Sequence, residues 1–366
     1  MNIKRNILLN PGPATTTDSV KLAQVVPDIC PRESEFANIV FEISKTLPTF
    51  LAGSINDYET ILLAGSGTAA MEAMISSATK GEGLIVNNGA YGERFCEIAK
   101  CYQIPTHIFR SNGYSPLDLN SLEKTIQSNP HIKFITLVHH ETTTGMMNPL
   151  KEIGYLAKKY NLMYLVDAIS SFGAIEINAE ECNIDFLAST SNKNLQGMAG
   201  ISFVIAKKSS LEKIKSFPTR NYYLNLYEHY VFFQKNFQLR FTPPVQTFYA
   251  LKQAILELQS EGVENRFQRY ISCWDVLNKG MIDLGFENLV PLELQSKLLT
   301  TYLDPTFLKN YNFSSMHDYF YQCGITIYPG KVSAVPSFRI ANIGQIYPKD
   351  MEIFIEHMKR FIKETN

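Results

Sequence analysis

The feature that most constrains this chain is a theme repeated through its first two-thirds: a short apolar run, a turn, then a helical pattern. The apolar runs fall at Ile61–Ala64, Leu84–Asn87, Phe134–Val138, Met163–Val166, Asp185–Ala188 and Ile201–Ile205. Helix-like stretches lie between several of them, at Ala69–Ala78, Glu93–Tyr102, Leu122–Gln127 and Lys151–Tyr160. Asn120 with Glu123 reads as a capping box for the third helix. Runs without polar alternation are strands buried on both faces, and strands that alternate with helices build a mostly parallel sheet. Right-handed crossovers then collect the strand C-termini on one edge, where ligands bind. The expected fold class is therefore α/β.

The pattern changes after Thr242-Pro243-Pro244. A long amphipathic helix follows, over about Val245–Ser260, with further helix to Gly280. The remaining residues mix strands and helices and end in an amphipathic helix, Lys349–Lys363. This predicts a large domain over 1–260 and a smaller α+β domain over 261–366, with the N-terminal segment packing near the site. A chain of 366 residues can bury a core in each.

Charge narrows the partners. Lys plus Arg (34) nearly balance Asp plus Glu (35), so the overall field draws neither nucleic acid nor an anionic membrane. Local groups must capture any anionic substrate. Cys30, Cys96, Cys101, Cys182, Cys273 and Cys323 form no CxxC pair and have no histidines at ligand spacing, so buried reduced thiols are expected, and no metal site. The opening Met-Asn-Ile-Lys-Arg has only a short apolar run after it, broken by Pro11-Gly12-Pro13. It reads as neither a signal peptide nor a membrane span, so a cytoplasmic protein is expected.

Three short stretches carry chemistry. Ala64-Gly65-Ser66-Gly67-Thr68-Ala69-Ala70 follows an apolar run and opens a helix. Its glycines let backbone N–H groups approach an oxyanion, and Ser66 and Thr68 add hydroxyls at the positive helix end. It lacks the P-loop lysine and the three-glycine dinucleotide spacing. Alone, an unliganded strand–helix turn explains it equally well. Asp167 ends the apolar run 163–166, where it could hold a metal, cap the next helix or pair with a protonated ring nitrogen. Alone, the cap suffices. Lys193 lies in a polar loop past another buried run, and a lysine there is usually solvated. Together, however, the three share one sheet edge. They favour a cofactor with a phosphate, a basic ring nitrogen and an aldehyde, and pyridoxal 5′-phosphate (PLP) has all three.

At these residues the chain resembles the class V, fold-type I PLP-dependent aminotransferases, nearly from end to end. The resemblance runs through LLNPGP (Leu8–Pro13), CPRESEF (Cys30–Phe36), GSGTAAMEAM (Gly65–Met74) and NGAYGERF (Asn88–Phe95). It continues through HHETTTGMMNP (His139–Pro149), VDAISSFG (Val166–Gly173), SNKNLQG (Ser191–Gly197), FTPPVQ (Phe241–Gln246) and YPGKVSAVPSFRIANIG (Tyr328–Gly344). The ETTTG block and the last block point to the branch that acts on aminophosphonates. Ala64 and Asn194-Leu195 depart from the usual pattern but flank the chemical residues.

The resemblance implies a fold with a large, mostly parallel sheet domain and a smaller α+β C-terminal domain. It implies transfer of the amino group of 2-aminoethylphosphonate to pyruvate. A related transaminase of the alanine/serine–glyoxylate or –pyruvate type is the alternative, and a silent PLP-binding homologue a further one. By the same resemblance Ser66, Gly67 and Thr68 hold the cofactor phosphate, and Asp167 the ring nitrogen. Tyr91 stacks on the ring, Ile169 packs on its other face, and Thr142 or Thr143 reaches its hydroxyl. Lys193 carries the cofactor covalently and acts as the base. Thr242 reaches the neighbouring subunit's cofactor phosphate, which implies a homodimer with shared active sites. Arg339 binds the acidic end of the substrate, with the two-pronged geometry that suits phosphonate and carboxylate alike.

Other residues keep two readings. Arg32 is a second cation for a phosphonate, or the partner of Glu33 or Glu35. His139 and His140 line the pocket, or pack and bond to the sheet edge. Lys331 approaches Arg339, or is a solvated turn lysine. Trp274 reads as core, and Tyr222-Tyr223, Tyr227 and Tyr230 as core or subunit interface.

Overall fold

The computed structural model describes residues 3–332 and 335–365. Ser333-Ala334, inside the last block above, lie outside the described residues, as do Met1, Asn2 and Asn366. The chain opens with β1 (Ile7–Leu8), α1 (Asp18–Leu22) and α2 (Ser34–Thr46). It then alternates through β2 (Tyr58–Ala64), α3 (Gly67–Ser77), β3 (Glu82–Asn87), α4 (Ala90–Cys101), β4 (Thr106–Arg110), α5 (Leu119–Ser128) and β5 (Ile132–Val138). A small hairpin, β6 (His140–Glu141) with β7 (Met146–Met147), precedes α6 (Leu150–Lys159), β8 (Met163–Asp167), β9 (Phe186–Thr190) and β10 (Ile201–Lys207).

Seven of these strands form one sheet in the order β2-β10-β9-β8-β5-β3-β4, parallel except for β10, which runs against both neighbours. The exception has a local cause. Between β9 and β10 the chain reverses through a loop instead of crossing over with a helix. That loop therefore stays at the C-terminal edge of the parallel strands, and it carries Lys193.

The sheet is buried on both faces, as unalternated apolar runs require. Leu62, Tyr164 and Val166 point into one core, while Ile61, Leu63 and Leu165 point into the other. Each such side chain removed from water contributes roughly 2 kcal/mol. The edge strand β4 is half-exposed, and its Thr-His-Ile-Phe-Arg sequence hides it from a search for apolar runs.

The expected capping box at α5 is not formed. Asp118 is the N-cap, accepting from Ser121 N at 3.0 Å. Glu123 instead accepts from Lys159 Nζ and the Tyr160 hydroxyl, both at 2.7 Å. An aspartate at the true cap position pre-empts Asn120. Nor are all the cysteines buried: Cys30, Cys101 and Cys323 are exposed. Cys101, for one, ends α4 on a face turned from the core.

Downstream lie α7 (Lys208–Ile214), α8 (Leu226–Asn236), α9 (Val245–Glu261) and α10 (Val263–Asp283). The last part comprises β11 (Leu299–Leu303), α11 (Phe313–Gln322), β12 (Ile325–Thr326), β13 (Tyr328–Pro329), β14 (Ser337–Ala341) and α12 (Pro348–Thr365). Here β11-β14-β13 is an antiparallel sheet with its own apolar core, shared with α10, α11 and α12. Trp274 is buried there, with its indole N–H donating to Thr300 and Gln295.

The N-terminal residues join this C-terminal core. Ile7 pairs with Ile325, Ala341 N donates to Leu9 O at 2.8 Å, and Ile7 and Leu9 are buried among the residues of that core. Arg5 grips Asp350 with two hydrogen bonds, at 2.7 and 2.9 Å. A few residues on, Ala14 N donates to Asn192 O at 3.0 Å, beside Lys193. The segment is a strap from the small sheet to the ligand edge of the large one.

Candidate active site

The strand ends assemble the site. At the end of β2 the chain turns through Gly65 into α3, with Ser66 as N-cap. The Ser66 hydroxyl makes no capping bond, so the positive end of α3 keeps a free donor. A Cβ at Gly67 would stand 2.8 Å from Ile169 Cδ1, so only glycine lets the turn close on that side chain. Thr68 Oγ1 accepts from Arg94 Nη1 at 3.2 Å.

Asp167 ends β8 and is buried, accepting one hydrogen bond from Ile169 N at 2.8 Å. It has no ion-pair partner among the described residues. Burial therefore raises its carboxyl to about 7, against the pull of the Ile169 N–H, Arg94 and Lys193. The Lys193 amine donates to the Pro11 carbonyl. Burial lowers its pKa to about 8, helped by Arg339, Lys331 and Arg94 and opposed by Asp167. Each group thus lies in the other's field, and each is poised near neutrality.

The β6–β7 hairpin forms one wall. Glu141 is fully buried, and burial raises its pKa. It accepts from Thr143 N at 3.0 Å, Thr143 Oγ1 at 2.6 Å, and the N–H groups of Tyr91 and Gly92 at 3.3 Å. It thereby pins the start of α4, and Tyr91 with it. Thr143 Oγ1 also accepts from Ala90 N at 2.8 Å, so that hydroxyl is engaged on both sides. The Thr142 hydroxyl is buried with no partner. Arg339, on β14, is buried and donates through Nε to Pro329 O and through Nη1 to Thr142 O, both at 2.9 Å. Its Nη2 donates to no described protein group, and burial draws its pKa down.

Ser66, Gly67, Thr68, Tyr91, Thr142, Thr143, Asp167, Ile169, Lys193 and Arg339 thus lie around one edge. Thr242 and Arg32 do not join them in this chain. Thr242 is exposed, next to a cluster in which Tyr223 stacks on Phe241 at 4.8 Å. Arg32 pairs with neither Glu33 nor Glu35. It donates to Leu239 O at 2.6 Å and Arg240 O at 3.3 Å, because that backbone offers carbonyls just before Thr242.

The two histidines divide. His139 bonds Ser171 Oγ at 2.9 Å, and burial lowers it to about 3. His140 Nδ1 faces the Ser170 carbonyl at 3.0 Å and must carry the hydrogen, leaving Nε2 buried without a partner. Burial lowers it to about 4. Lys331 is exposed, as a solvated turn lysine should be, and its Nζ lies 5.2 Å from the centroid of the Tyr91 ring. Sequence reasoning missed Arg94, 4.8 Å over the same ring, and the buried Glu141. Both stood inside quoted blocks, but nothing local marks a cation as unpaired or a carboxylate as buried.

The aminotransferase class-V family model matches residues 21–347. The chain belongs to that family. A 2-aminoethylphosphonate–pyruvate transaminase of Vibrio vulnificus (strain CMCP6) is 41% identical to this class-V aminotransferase, over 95% of each chain. A bifunctional phosphonoacetaldehyde hydrolase/aminoethylphosphonate transaminase of Clostridioides difficile (strain 630) is 40% identical over 97% of this chain, which spans only 56% of that relative. In fold it matches the ureidoglycine–glyoxylate aminotransferase of Bacillus subtilis, with a TM-score of 0.90 at 21% identity, over 100% of this chain and 95% of that one.

Class-V aminotransferases of this fold use PLP. The residues present fit it. The site holds a buried carboxyl without a cation, a buried threonine hydroxyl without a partner, a helix N-terminus with an uncommitted cap, and an amine near neutrality. A pyridine nitrogen, a ring hydroxyl, a phosphate and an aldehyde would meet these four in turn. No helix among the described residues of this aminotransferase is long and apolar enough to cross a membrane.

Proposed function

We propose that the enzyme transfers the amino group of 2-aminoethylphosphonate to pyruvate, giving phosphonoacetaldehyde and L-alanine. One observation carries the chemistry: a buried carboxyl raised to about 7 and a buried amine lowered to about 8 lie in each other's field, beside an arginine with unspent donors. Identity near 40% to transaminases of that name, over almost the whole chain, supports the substrate.

The cofactor, when bound, supplies an aldehyde carbon to carry the amino group and a ring that withdraws electrons. The residues do the rest. Asp167 is the counter-ion of the ring nitrogen, and a cation there returns its carboxyl to the ionised form. Ser66, Gly67 and Thr68 hold the phosphate at the start of α3, with Arg94 adding charge through its place on Thr68. Tyr91 and Ile169 take the two ring faces. Of the two threonines, Thr142 is the one for the ring hydroxyl, because Thr143 is already bonded to Glu141 and Ala90. Lys193 holds the cofactor between turnovers and moves the proton from the amine-bearing carbon. An amine lowered to about 8 is unprotonated often enough to serve as that base. Arg339 seats the phosphonate and then the pyruvate carboxylate.

The reading is of a cytoplasmic homodimer with shared sites, in which residues 1–260 hold the cofactor and 261–366 form the smaller unit. Exposed Tyr222 and Tyr223 beside Thr242 suit a subunit interface. Arg32 then acts at a distance, by fixing the loop that leads to Thr242. In a coupled assay, phosphonoacetaldehyde should form from 2-aminoethylphosphonate only when pyruvate is present. Turnover of alanine with glyoxylate, and none of the phosphonate, would sink the substrate assignment.

A further inference from the structure

Three cations surround Tyr91: Arg94 and Lys331 over its ring, and Arg339 within the field of its hydroxyl. Among the described residues none of the three has a carboxylate at ion-pair distance, although thirteen lysine– or arginine–carboxylate pairs form. Arg94 is committed to the Thr68 side, towards the cradle. Arg339 and Lys331 remain for the substrate.

Arg339 is partly spent. A guanidinium has five N–H donors, and here two go to Pro329 O and Thr142 O. What is left suits the two oxygens of a carboxylate. A phosphonate presents three oxygens and, like a phosphate ester, a second negative charge from about pH 6 upward. That excess needs another cation, and Lys331, an exposed lysine whose ammonium faces the same Tyr91 ring, is the one at hand. Tyr328 pairs with Arg339 across β13–β14, and Arg339 Nε clamps Pro329 O. Gly330 N then donates to Ser337 O at 2.8 Å. A Cβ at Gly330 would stand 2.3 Å from Ser337 Oγ and 2.5 Å from its carbonyl, so the turn that presents Lys331 is held close against β14. One arginine grips the anion and also sets the turn that carries the lysine.

We propose that Lys331 is the specificity-determining residue for the phosphonate: it takes the third oxygen and second charge, while Arg339 alone suffices for a carboxylate. The inference rests on the substrate reading above.

The test uses the cofactor-loaded enzyme and two unreactive anions, ethylphosphonate and propionate, whose binding is followed by calorimetry. Lys331→Met should weaken ethylphosphonate by about tenfold or more, the worth of one charge-assisted bond, and propionate by less than about twofold. KM for 2-aminoethylphosphonate should rise in step, with kcat nearly constant. Wild-type affinity for ethylphosphonate should climb as pH passes its second ionisation, and Lys331→Met should flatten that climb. Lys331→Arg should restore most of the discrimination. Equal weakening of both anions, or of neither, overturns the inference and leaves the transaminase reading intact. Selective loss of ethylphosphonate in an enzyme that turns over no aminophosphonate would keep the inference and overturn the substrate reading.

Discussion

Two clusters of cations, each built around one buried arginine (Arg266 in the first, Arg339 in the second), are treated in opposite ways. Arg266 and Arg269, on α10, are saturated from within. Glu261 accepts from Arg266 Nε at 2.7 Å and from Arg269 Nε and Nη2 at 2.7 and 3.1 Å. Carbonyls take further donors: Asn194 from Arg266 Nη1 at 2.6 Å, and Gly344 and Ile346 from Arg269 Nη1 at 2.8 Å each. Burial pushes the Glu261 carboxyl up, but the two arginines outweigh it and hold it below its usual range. Around Tyr91, by contrast, Arg339, Arg94 and Lys331 meet carbonyls and a hydroxyl, but no carboxylate among the described residues. The first cluster ties α10 to the loop after Lys193. The second leaves positive charge for something outside the chain. A fold that pairs buried Arg266 with a carboxylate and leaves buried Arg339 without one suits the second place to an anion.

That contrast can be broken experimentally. The largest expected effect is at the residue both clusters frame. Lys193→Ala should lower transamination by about a thousandfold or more, the scale on which a positioned base and covalent anchor act, as a coupled assay would read. Near-normal turnover in that variant would end the reading. Arg339→Leu comes next. It should cost about a hundredfold in kcat/KM for both anionic substrates and, as Pro329 O and Thr142 O lose their donor, about 1–2 kcal/mol of stability, less than the loss at Glu261 below.

Glu261→Gln should do the reverse. Leaving the buried Arg266 and the half-buried Arg269 without their carboxylate should destabilise the fold by about 3 kcal/mol in denaturant unfolding. Selectivity between ethylphosphonate and propionate should stay put. If Glu261→Gln altered that selectivity and Arg339→Leu altered only stability, the comparison would be inverted.

The pH dependence of cofactor capture sharpens the contrast from another side. Only the unprotonated Lys193 amine can attack an aldehyde, and its pKa is lowered to about 8. The rate at which apo-enzyme takes up PLP, followed by absorbance, should fall about tenfold per pH unit below 8 and level off above it. A rate still rising towards pH 10 would mean an ordinary solvated lysine. The smallest effect separates two neighbouring threonines. Thr143→Val breaks bonds to Glu141 and Ala90 and should cost about 1–2 kcal/mol of stability. Thr142→Val removes a hydroxyl with no protein partner, so it should spare stability and shift the absorbance of bound cofactor.

The sequence made some of this legible and hid the rest, for physical reasons. Strands such as 134–138 and 163–166 were visible because burial on both faces leaves no polar alternation. The edge strand 106–110 was not, because one side of it faces water. Asp167 and Lys193 could be placed on one edge because parallel strands bring their C-termini together. What sequence could not show was pairing. Arg266 and Arg94 look alike in one dimension, and their difference depends on partners far away. Asn194 is 72 positions from Arg266, and Thr68 is 26 from Arg94. Lys331 was undecidable for the same reason, since its neighbour Tyr91 lies on α4, in the opposite half of the chain.

The strap that runs from β1 to the Lys193 loop also sets a timetable. Arg5 and its partner Asp350 are 345 positions apart, and Leu9 waits for Ala341. At about 5–20 residues per second of synthesis, residues 5–9 wait tens of seconds for residues 325–350 to be made. The large sheet can fold as it emerges, but the strap that seats the Pro11 carbonyl against the Lys193 amine waits for β12, β14 and α12. The catalytic centre is therefore completed late in translation, when β1 meets β12 and β14.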